Sequence, residues 1–504
     1  MPRDISSLYN GAFDLLIIGG GINGAAIANL AAGMGKRIAL IEKNDFGSGT
    51  SSKSTKLIHG GIRYLEHGEF DLVFESLRER SIQLKSAPHL VKPLEFLIPI
   101  YEDDARPGWM LKLGVFLYDF LSFNHKIRPH RSLKIDEVLQ LEPGLKKAGL
   151  KGGVIYYDAQ MDDARLVLEN ILCARTQGAI VANYVESTGF VKENGKATGV
   201  KARDTLSGQT FFIKAKKIVC AVGPWTNELL TLEHPQARPR VRTTKGVHIV
   251  YEGQISRRAL LIPSRQDNRV FFIIPWMGHS LIGTTDTDFS ASPDSVKPSS
   301  EDIEYLLGES SRVFPDVNFE RAKIITTFAG LRPLVWEEGH PSAISRKHLI
   351  FESFGGIVYL AGGKYTTYRV MALETLEKIF KQPLSRKMDY PLYGSGPIKE
   401  QAAEVAHSYG LSPAVVQSLM DRYGIRYRNV LDFIQKDSHL KESICDCGME
   451  IKAQIVYALN VEMAQKAEDI IWRRLSLGYR KCPTGQCRRV IEEFVKNRNE
   501  TGVV

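Results

Sequence analysis

Three glycines that follow a short apolar run constrain the fold of this chain more than any other feature. The apolar run Leu15 to Ile18 leads into Gly19, Gly21 and Gly24, which match G-x-G-x-x-G, and a second apolar run ends at Glu42. Glycine makes such a strand-to-helix turn without steric penalty, and the helix N-terminus behind it attracts a pyrophosphate. Glu42 is placed to accept hydrogen bonds from an adenosine ribose. The segment therefore predicts a parallel α/β unit that binds a dinucleotide.

Length and charge limit the class of protein. A chain of 504 residues is too long for one ordinary core, so two or three domains are expected. Its 66 basic and 57 acidic residues give a net charge of +9. This charge suits an anionic small substrate or an anionic membrane face, with nucleic acid as a weaker third option.

The composition of three parts of the sequence indicates the cellular compartment in which the protein is expected. Residues 1–13 carry both signs of charge and lack an apolar core, so no signal peptide is expected. No uncharged apolar run reaches the roughly 20 residues that span a bilayer. Six cysteines in so long a chain are not a disulfide framework, and Cys173 and Cys220 lie in apolar surroundings typical of a core. We therefore expect a protein in the cytoplasm or on its membrane.

A polar segment at 46–70 is the second candidate site. Small hydroxyl residues, which can satisfy helix amides and donate to phosphate, precede His59, Arg63 and Tyr64. A titratable imidazole, a fixed cation and a phenol thus lie within six residues of chain. The alternative is a surface loop with incidental polar residues.

An apolar block follows at 109–123, interrupted only by Lys112 and Asp119 and continued by basic residues up to Arg131. It is too short and too charged to span a membrane. Either it forms a buried helix, or it lies in a membrane interface with its cations on the headgroups. Its Trp and Phe content and the basic tail favour the interface.

The rest of the chain divides by its periodicity. Residues 70–92, 162–177 and 299–314 are predicted to be helical, whereas strong alternation over 244–288 predicts an antiparallel sheet. Composition changes to helix formers after a boundary at 387–397, which predicts a helical C-terminal domain.

Three motifs resemble those of the FAD-dependent, quinone-linked glycerol-3-phosphate dehydrogenase family. They are IGGGINGAAIA from Ile18, SKSTKLIHGGIRYLEHGEF from Ser52 and AGGKYTTYRVMA from Ala361. The resemblance extends over essentially the whole chain. It implies a Rossmann-type FAD-binding domain like that of glutathione reductase and D-amino-acid oxidase, an antiparallel-sheet substrate domain and a helical C-terminal domain. The FAD-binding domain is expected to comprise residues 1–85, 150–240 and 325–388. The substrate domain is expected to comprise 86–149 and 241–324, with a membrane-facing segment at 107–131. The helical domain is expected to comprise 389–504.

The resemblance also implies a reaction. A hydride passes from C2 of sn-glycerol 3-phosphate to flavin N5, which yields dihydroxyacetone phosphate, and the electrons then pass to a membrane quinone. The implied location is the cytoplasm, peripherally at the inner face of the cell membrane. The implied partners are glycerol 3-phosphate, a quinone and the membrane surface, without nucleic acid, and a homodimer is an assembly consistent with it.

Matching positions give the expected site residues. Those expected around the substrate are Arg63, Tyr64, Thr284, Thr285, Arg332, Arg346 and Lys364. Those expected at the FAD are Gly19, Gly21, Gly24, Glu42, Lys43, Thr50, Ser51, Ser52, Lys56, Leu57, Val185, Gly223, Trp225, Gly363, Thr366 and Thr367. The expected catalytic groups are His59, Arg332 and Lys364. Several cations suit a phosphate dianion, which Arg binds bidentately. The imidazole of His59 titrates near neutral pH and is the candidate acceptor of the C2 hydroxyl proton.

Four late cysteines form a separate candidate site. Cys445 and Cys447 are followed by Cys482 and Cys487, and this pattern looks like the ferredoxin-like [2Fe–2S] domain attached to some relatives in the family. A zinc site would use the same ligands, and free thiols are the third interpretation.

Three other functions are alternatives to the dehydrogenase. One is an oxidase that passes electrons to O₂ and makes peroxide, although relatives of that type carry an insertion that is not visible here. Another is a flavin-binding tRNA-modifying factor, against which KLIHGGIRYLEH and GGKYTTYR both argue. A non-catalytic membrane-associated binding protein would need no convergent set of Arg and Lys.

Overall fold

The structure is a computed structural model that describes residues 3–267, 269–336, 347–388 and 390–501. The strands are β1 (Ala12–Phe13), β2 (Leu15–Ile18), β3 (Ile38–Ile41), β4 (Leu57–Ile58), β5 (Val91–Tyr101), β6 (Arg131–Leu133), β7 (Leu150–Met161), β8 (Ile180–Ala182), β9 (Val185–Glu193), β10 (Lys196–Asp204), β11 (Thr210–Ala215), β12 (Ile218–Cys220), β13 (Val241–Tyr251), β14 (Ala259–Pro263), β15 (Val270–Trp276), β16 (His279–Gly283), β17 (Thr287–Asp288), β18 (Ile324–Val335), β19 (His348–Glu352) and β20 (Val358–Gly362). The helices are α1 (Ser6–Asn10), α2 (Ile22–Gly33), α3 (Phe70–Ser86), α4 (Gly108–Leu121), α5 (Ile135–Leu141), α6 (Asp163–Thr176), α7 (Thr226–Glu233), α8 (Ser300–Val313), α9 (Tyr368–Phe380), α10 (Ala402–Tyr409), α11 (Pro413–Tyr423), α12 (Tyr427–Lys436), α13 (Lys452–Asn460), α14 (Ala467–Asp469) and α15 (Gln486–Thr501).

A mainly parallel sheet carries the glycine turn. Its strand order is β19-β20-β12-β2-β3-β8, and every pairing is parallel except that of the edge strand β19. Both faces of β2 and β3 are buried, which explains why each strand is a continuous apolar run. Helix α2 is buried along nearly its whole length because it packs against α6 and α9 as well as against the sheet. The small Ala-rich side chains permit this close packing.

A second, larger sheet forms the other layer. Its order is β17-β13-β16-β15-β14-β5-β7-β4, with β18 paired to β13 and β6 paired to β7. All its pairings are antiparallel except that between β14 and β5. A four-stranded sheet of β1, β11, β10 and β9 completes the β structure of the described residues. The predicted fold class, a Rossmann-type domain with a mainly antiparallel second sheet and C-terminal helices, is confirmed, while the domain limits stay a prediction.

The prediction of one helix over 70–92 is wrong at its C-terminal end. Helix α3 ends at Ser86, and strand β5 begins at Val91. Pro88 disfavours helical backbone at the residue before it and cannot supply an amide to the helix, so the helix ends there. The new strand pairs with β7 along its full length and lies in the interior of the large sheet.

Helix α4 is apolar but has an exposed face. Trp109 is 68% exposed and Phe120 is 65% exposed, Leu113 and Phe116 are also exposed, and so is Phe123 just after the helix. Only Val115, Tyr118 and Asp119 of this helix are buried. The interpretation of the apolar block at 109–123 as a fully buried helix therefore does not hold. In the described part of the chain, no helix combines the length and the apolar composition that a membrane crossing requires.

Buried ion pairs join the C-terminal helices to the parallel-sheet unit. Both carboxylate oxygens of Asp45 accept hydrogen bonds from Arg474, at 2.6 and 2.9 Å, and Arg473 donates to the same group at 2.5 Å. Asp45 and Arg474 are completely buried. Charges without water nearby need such partners, so these contacts fix the position of the 470–474 segment on the sheet unit.

Candidate functional site

One cavity of about 600 Å³ is bounded by residues of both large sheets. Its wall contains Gly19 and Gly21 near the N-terminus as well as Gly363 and Lys364, more than 300 residues later. Glycines along this wall leave room for a ligand to lie directly on the backbone. The two segments that sequence analysis singled out therefore meet at one site.

The glycine turn at the end of β2 is built for close approach. Gly19 has φ = +108°, which favours glycine over any other residue. A Cβ atom on Gly24 would lie 1.9 Å from the carbonyl oxygen of Gly19, so the first turn of α2 packs directly on the turn that precedes it. The amide of Ile22 donates to Ser51 Oγ at 3.0 Å, which places a hydroxyl beside this helix N-terminus. Amides and a hydroxyl here suit an anionic pyrophosphate.

Glu42 lies at the end of β3, beside the turn. Its two carboxylate oxygens accept hydrogen bonds from the amides of Gly20, at 2.7 Å, and Asn44, at 2.9 Å. Lys43, next in the chain, lies 4.4 Å from the centre of the Trp225 ring and pairs with Asp294. An oriented carboxylate and an aromatic ring are suitable contacts for a ribose and a base.

Arg332 and Lys364 supply cations at the cavity wall. Arg332 donates to Asp286 Oδ1 at 2.9 Å and to Thr284 Oγ1 at 2.8 Å. Lys364 donates to Ser76 Oγ at 2.8 Å, and its ammonium lies 4.1 Å from the centre of the Tyr64 ring. These contacts hold both side chains in one conformation at the cavity wall.

His59 joins the N-terminal and C-terminal walls. Its amide donates to Thr366 Oγ1, and that hydroxyl donates back to the carbonyl of His59, both at 3.2 Å. The pKa of His59 is lowered to about 4, chiefly by burial and also by the charges of Lys364 and Arg63, which together outweigh the opposing effect of Asp158. The imidazole is therefore neutral at pH 7 and able to accept a proton.

Most of the predicted site residues line this cavity. They are Gly19, Gly21, Glu42, Lys43, Thr50, Ser51, Leu57, His59, Arg63, Tyr64, Val185, Gly223, Trp225, Thr284, Arg332, Gly363, Lys364 and Thr366. Arg346 lies outside the described residues.

Five predicted residues lie behind the wall. They are Gly24, Ser52, Lys56, Thr285 and Thr367. The ammonium of Lys56 is fully buried and donates to Asp163 Oδ1 at 2.6 Å and to the carbonyl of Ser52 at 2.9 Å. The hydroxyl of Thr285 accepts from the amide of Val247. The side chains of Lys56 and Thr285 therefore support the site, because their polar atoms are bound within the protein.

The polar residues of the wall that sequence analysis did not identify include Lys53, Asp158, His248 and Asp286. His248 stacks on Phe328 at 5.0 Å, contacts Thr55 Oγ1 through Nε2 at 2.9 Å, and has no partner at its buried Nδ1. Burial, with the charge of Arg332, lowers its pKa well below the ordinary value. Burial lowers the pKa of Lys53 to about 8. In the sequence, His248 is one residue of the alternating pattern of β13, and nothing there marks it as a site residue. Asp286 could have been found, because it directly follows Thr284 and Thr285.

Comparison with known proteins agrees with this geometry. The family model for FAD dependent oxidoreductases matches residues 14–369, and that for the C-terminal domain of alpha-glycerophosphate oxidase matches 385–496. A glycerol-3-phosphate dehydrogenase of Synechocystis sp. is 39% identical over 500 residues, covering 94% of this chain and 90% of the relative. An aerobic glycerol-3-phosphate dehydrogenase of Staphylococcus aureus is 36% identical over 496 residues, covering 93% and 87%.

Solved structures give the same result. The glycerol-3-phosphate dehydrogenase of Bacillus halodurans complexed with FAD aligns with a TM-score of 0.81 at 29% identity, covering 99% of this chain and 93% of that one. An L-alpha-glycerophosphate oxidase of Mycoplasma pneumoniae with FAD bound aligns with a TM-score of 0.59 at 19% identity, covering 75% and 97%, a similarity of fold alone.

Proposed function

The chain belongs to the FAD-dependent glycerol-3-phosphate dehydrogenase family, and from this premise we propose that it oxidises sn-glycerol 3-phosphate to dihydroxyacetone phosphate and passes the electrons to a membrane quinone. It is an FAD-dependent glycerol-3-phosphate dehydrogenase or oxidase. The observation that carries the proposal is the single cavity in which a glycine turn for a dinucleotide and a cluster of Arg63, Arg332 and Lys364 share one wall.

The cavity residues fit FAD at one end and a phosphorylated alcohol at the other. FAD, held by the glycine turn at Gly19 and Gly21, would supply the acceptor for the hydride. Arg332, oriented by Asp286 and Thr284, presents a planar guanidinium that can bind a phosphate through two parallel hydrogen bonds. Lys364, held against Tyr64 and Ser76, adds a second positive charge. Together these groups would hold the substrate with its C2 carbon directed towards the cofactor.

His59 is the proposed acceptor of the C2 hydroxyl proton. Its imidazole is neutral at pH 7 and lies at the cavity wall, within the influence of the Lys364 and Arg63 charges. Its main chain is fixed to Thr366, which limits the movement of the ring relative to the C-terminal wall. A general base must be unprotonated and within reach of the proton that it removes, and the low pKa makes His59 a weaker base than an ordinary imidazole.

From this pKa we expect the rate constant of FAD reduction at saturating glycerol 3-phosphate to be constant from about pH 8 to about pH 5.5. The pKa of His59 is about 4, so the ring stays unprotonated across that range and loses its function only as the pH approaches 4. Anaerobic stopped-flow spectroscopy measures this constant, and the oxidised flavin spectrum at each pH verifies that FAD remains bound. A loss of rate with a midpoint near pH 6.5 would contradict the low pKa on which this expectation rests.

Substrate and acceptor are tested separately. Anaerobic glycerol 3-phosphate should bleach the bound flavin, whereas glycerol and lactate should not, because neither carries the phosphate that the cations bind. Reoxidation is then followed with a quinone or with O₂. Near-stoichiometric peroxide with slow quinone reduction would favour the oxidase, and no bleaching by glycerol 3-phosphate would reject the substrate.

The exposed face of α4 supports a membrane location for the acceptor. Trp109, Leu113, Phe116 and Phe120 follow one another at helical spacing on this face. Aromatic side chains on one face of a helix are typical of an interfacial anchor. The basic residues after the helix contribute less than predicted, because Lys126 and His130 both pair with Asp119.

We expect Trp109→Gln combined with Phe116→Gln to weaken binding to lipid vesicles by about 10- to 100-fold, since each change removes apolar area from the interface. Vesicle co-sedimentation measures this, and activity with a soluble dye acceptor should be retained. The matched control is Leu206→Gln with Phe212→Gln, two exposed apolar residues in the turn after β10 and in β11, which should leave binding unchanged. Equal sedimentation of both double variants would show that α4 is not the anchor.

A further inference from the structure

The four late cysteines come together in the folded chain. Their Sγ atoms all lie within 4.8 Å of one another, with Cys445 to Cys482 at 3.7 Å and Cys447 to Cys487 at 3.1 Å. Cys445 and Cys487 are only 5% and 6% exposed. These distances are too long for disulfides, whose sulfurs lie about 2.05 Å apart. Four converging thiols without a covalent bond are the ligand set of a metal site.

The spacing of the sulfurs identifies the kind of site. Four ligands at about 2.3 Å from one tetrahedral ion lie about 3.8 Å from one another. A two-iron cluster holds one pair of thiolates at each end, so its two pairs lie farther apart than the ligands of a single ion. Here no two of the four sulfurs are separated by more than 4.8 Å. The arrangement therefore fits one ion better than it fits a [2Fe–2S] cluster.

We propose that these cysteines bind a single Zn²⁺ ion in a closed tetrathiolate site. Four thiolates leave no open position for a substrate, which is typical of structural zinc. Zn²⁺ is also bound more tightly than Fe²⁺ by such a ligand set. The inner side of the site is apolar, formed by Ile444, Leu475, Leu477 and Ile491. This cover excludes water from the two buried sulfurs.

The two segments that carry the ligands, here called limbs, each fold so that their two cysteines come together. On the first limb, the amide of Ile444 donates to the carbonyl of Glu450 at 2.9 Å, which folds Cys445 and Cys447 into one turn. On the second, Gly485 has φ = +65° and its amide donates to the carbonyl of Cys482, which turns the chain back towards Cys487. Arg480 donates to both carboxylate oxygens of Glu450, at 2.8 and 2.9 Å, and joins the limbs.

The ion would close a long segment that supports the FAD cavity. Between the limbs lie Arg473 and Arg474, which bind Asp45, and Tyr479, whose ring contacts Phe328 at 5.7 Å. Tyr479 also faces the ammonium of Lys56, 5.0 Å from its ring centre. Closing such a segment in the folded state adds the binding free energy of the metal to the stability of the fold. The ion thus has a structural role and holds the C-terminal segment against the cavity.

Metal analysis of the full-length holoprotein, purified without added metal, tests the proposal. We expect about one zinc per chain and neither iron nor acid-labile sulfide in comparable amount. Cys445→Ser and Cys487→Ser should each lose the zinc, release FAD more readily and unfold at a lower temperature. The control is Cys173→Ser, a buried thiol outside the cluster, which should keep the zinc.

A second measurement does not depend on the folding of the variants. Protein produced with Co²⁺ in place of Zn²⁺ should absorb in the red part of the visible spectrum, where the flavin does not, with the pattern of tetrahedral sulfur coordination. Two irons and two labile sulfides per chain would overturn the proposal in favour of a cluster. Four thiols that react in the native protein without metal release would overturn it in favour of free cysteines.

Discussion

Arg332→Ala is expected to lower kcat/KM for glycerol 3-phosphate by about 30- to 1,000-fold, equivalent to about 2–4 kcal/mol of transition-state binding. The substitution removes the guanidinium that faces the cavity and leaves the Asp286 carboxylate, 2.9 Å away, without this cation. The remaining negative charge would repel the substrate phosphate, so KM should rise while kcat falls. Steady-state kinetics with a soluble acceptor measures both constants.

Two variants isolate this effect. Arg332→Lys keeps the charge but cannot form two parallel hydrogen bonds, so we expect a loss between that of the Ala variant and none. Arg242→Ala removes an arginine from the neighbouring strand β13, where it pairs with Asp288 outside the cavity wall, and should leave kcat/KM unchanged. FAD content must stay constant in all three. Unchanged kinetics in Arg332→Ala would remove this residue from the substrate site.

Arg474→Ala is expected to lower the free energy of unfolding by about 3–5 kcal/mol, because it leaves a buried carboxylate with too few partners. Arg474 and Asp45 are completely buried and share two hydrogen bonds. Urea denaturation of the FAD-bound protein measures the change. The control Arg428→Ala breaks an exposed pair with Glu400 and should cost less than about 1 kcal/mol.

The same pair gives a pH dependence. Burial raises the pKa of Asp45, but Arg474 and Arg473 outweigh it, and the pKa ends well below its ordinary value. Its contribution to stability is therefore complete above the unfolded-state pKa of about 3.9 and is lost as the pH falls below that value. The difference in stability between wild type and Asp45→Asn should shrink on acidification. A difference that grows towards low pH would contradict this assignment.

Glycine and proline explain which parts of the fold could be predicted. The G-x-G-x-x-G turn was predictable because Gly19 and Gly24 occupy positions that tolerate no side chain. Strand β5 was missed because Pro93 and Pro99 argue against an interior strand, yet it pairs with β7 over its whole length. Long-range pairing outweighed the local signal there.

The candidate site shows a similar limit. His59, Arg63 and Lys364 are predictable as residues of the cavity wall, because polar residues cluster around glycines in both segments. Lys56 has the same local composition, but its partner Asp163 lies 107 residues away and was not visible as a partner from sequence. Polarity shows that a residue has a polar partner, while only the fold shows whether that partner is a ligand or another part of the protein.

The reciprocal hydrogen bonds between His59 and Thr366 have a consequence for biosynthesis. The two residues are 307 positions apart, so the ribosome finishes the second wall of the cavity long after the first. At about 5–20 residues per second, that interval is about 15–60 s. The nascent glycine turn must remain soluble through this time without the contacts that complete its pocket. Capture of the flavin is therefore a late event, and chains terminated before Thr366 would be released colourless.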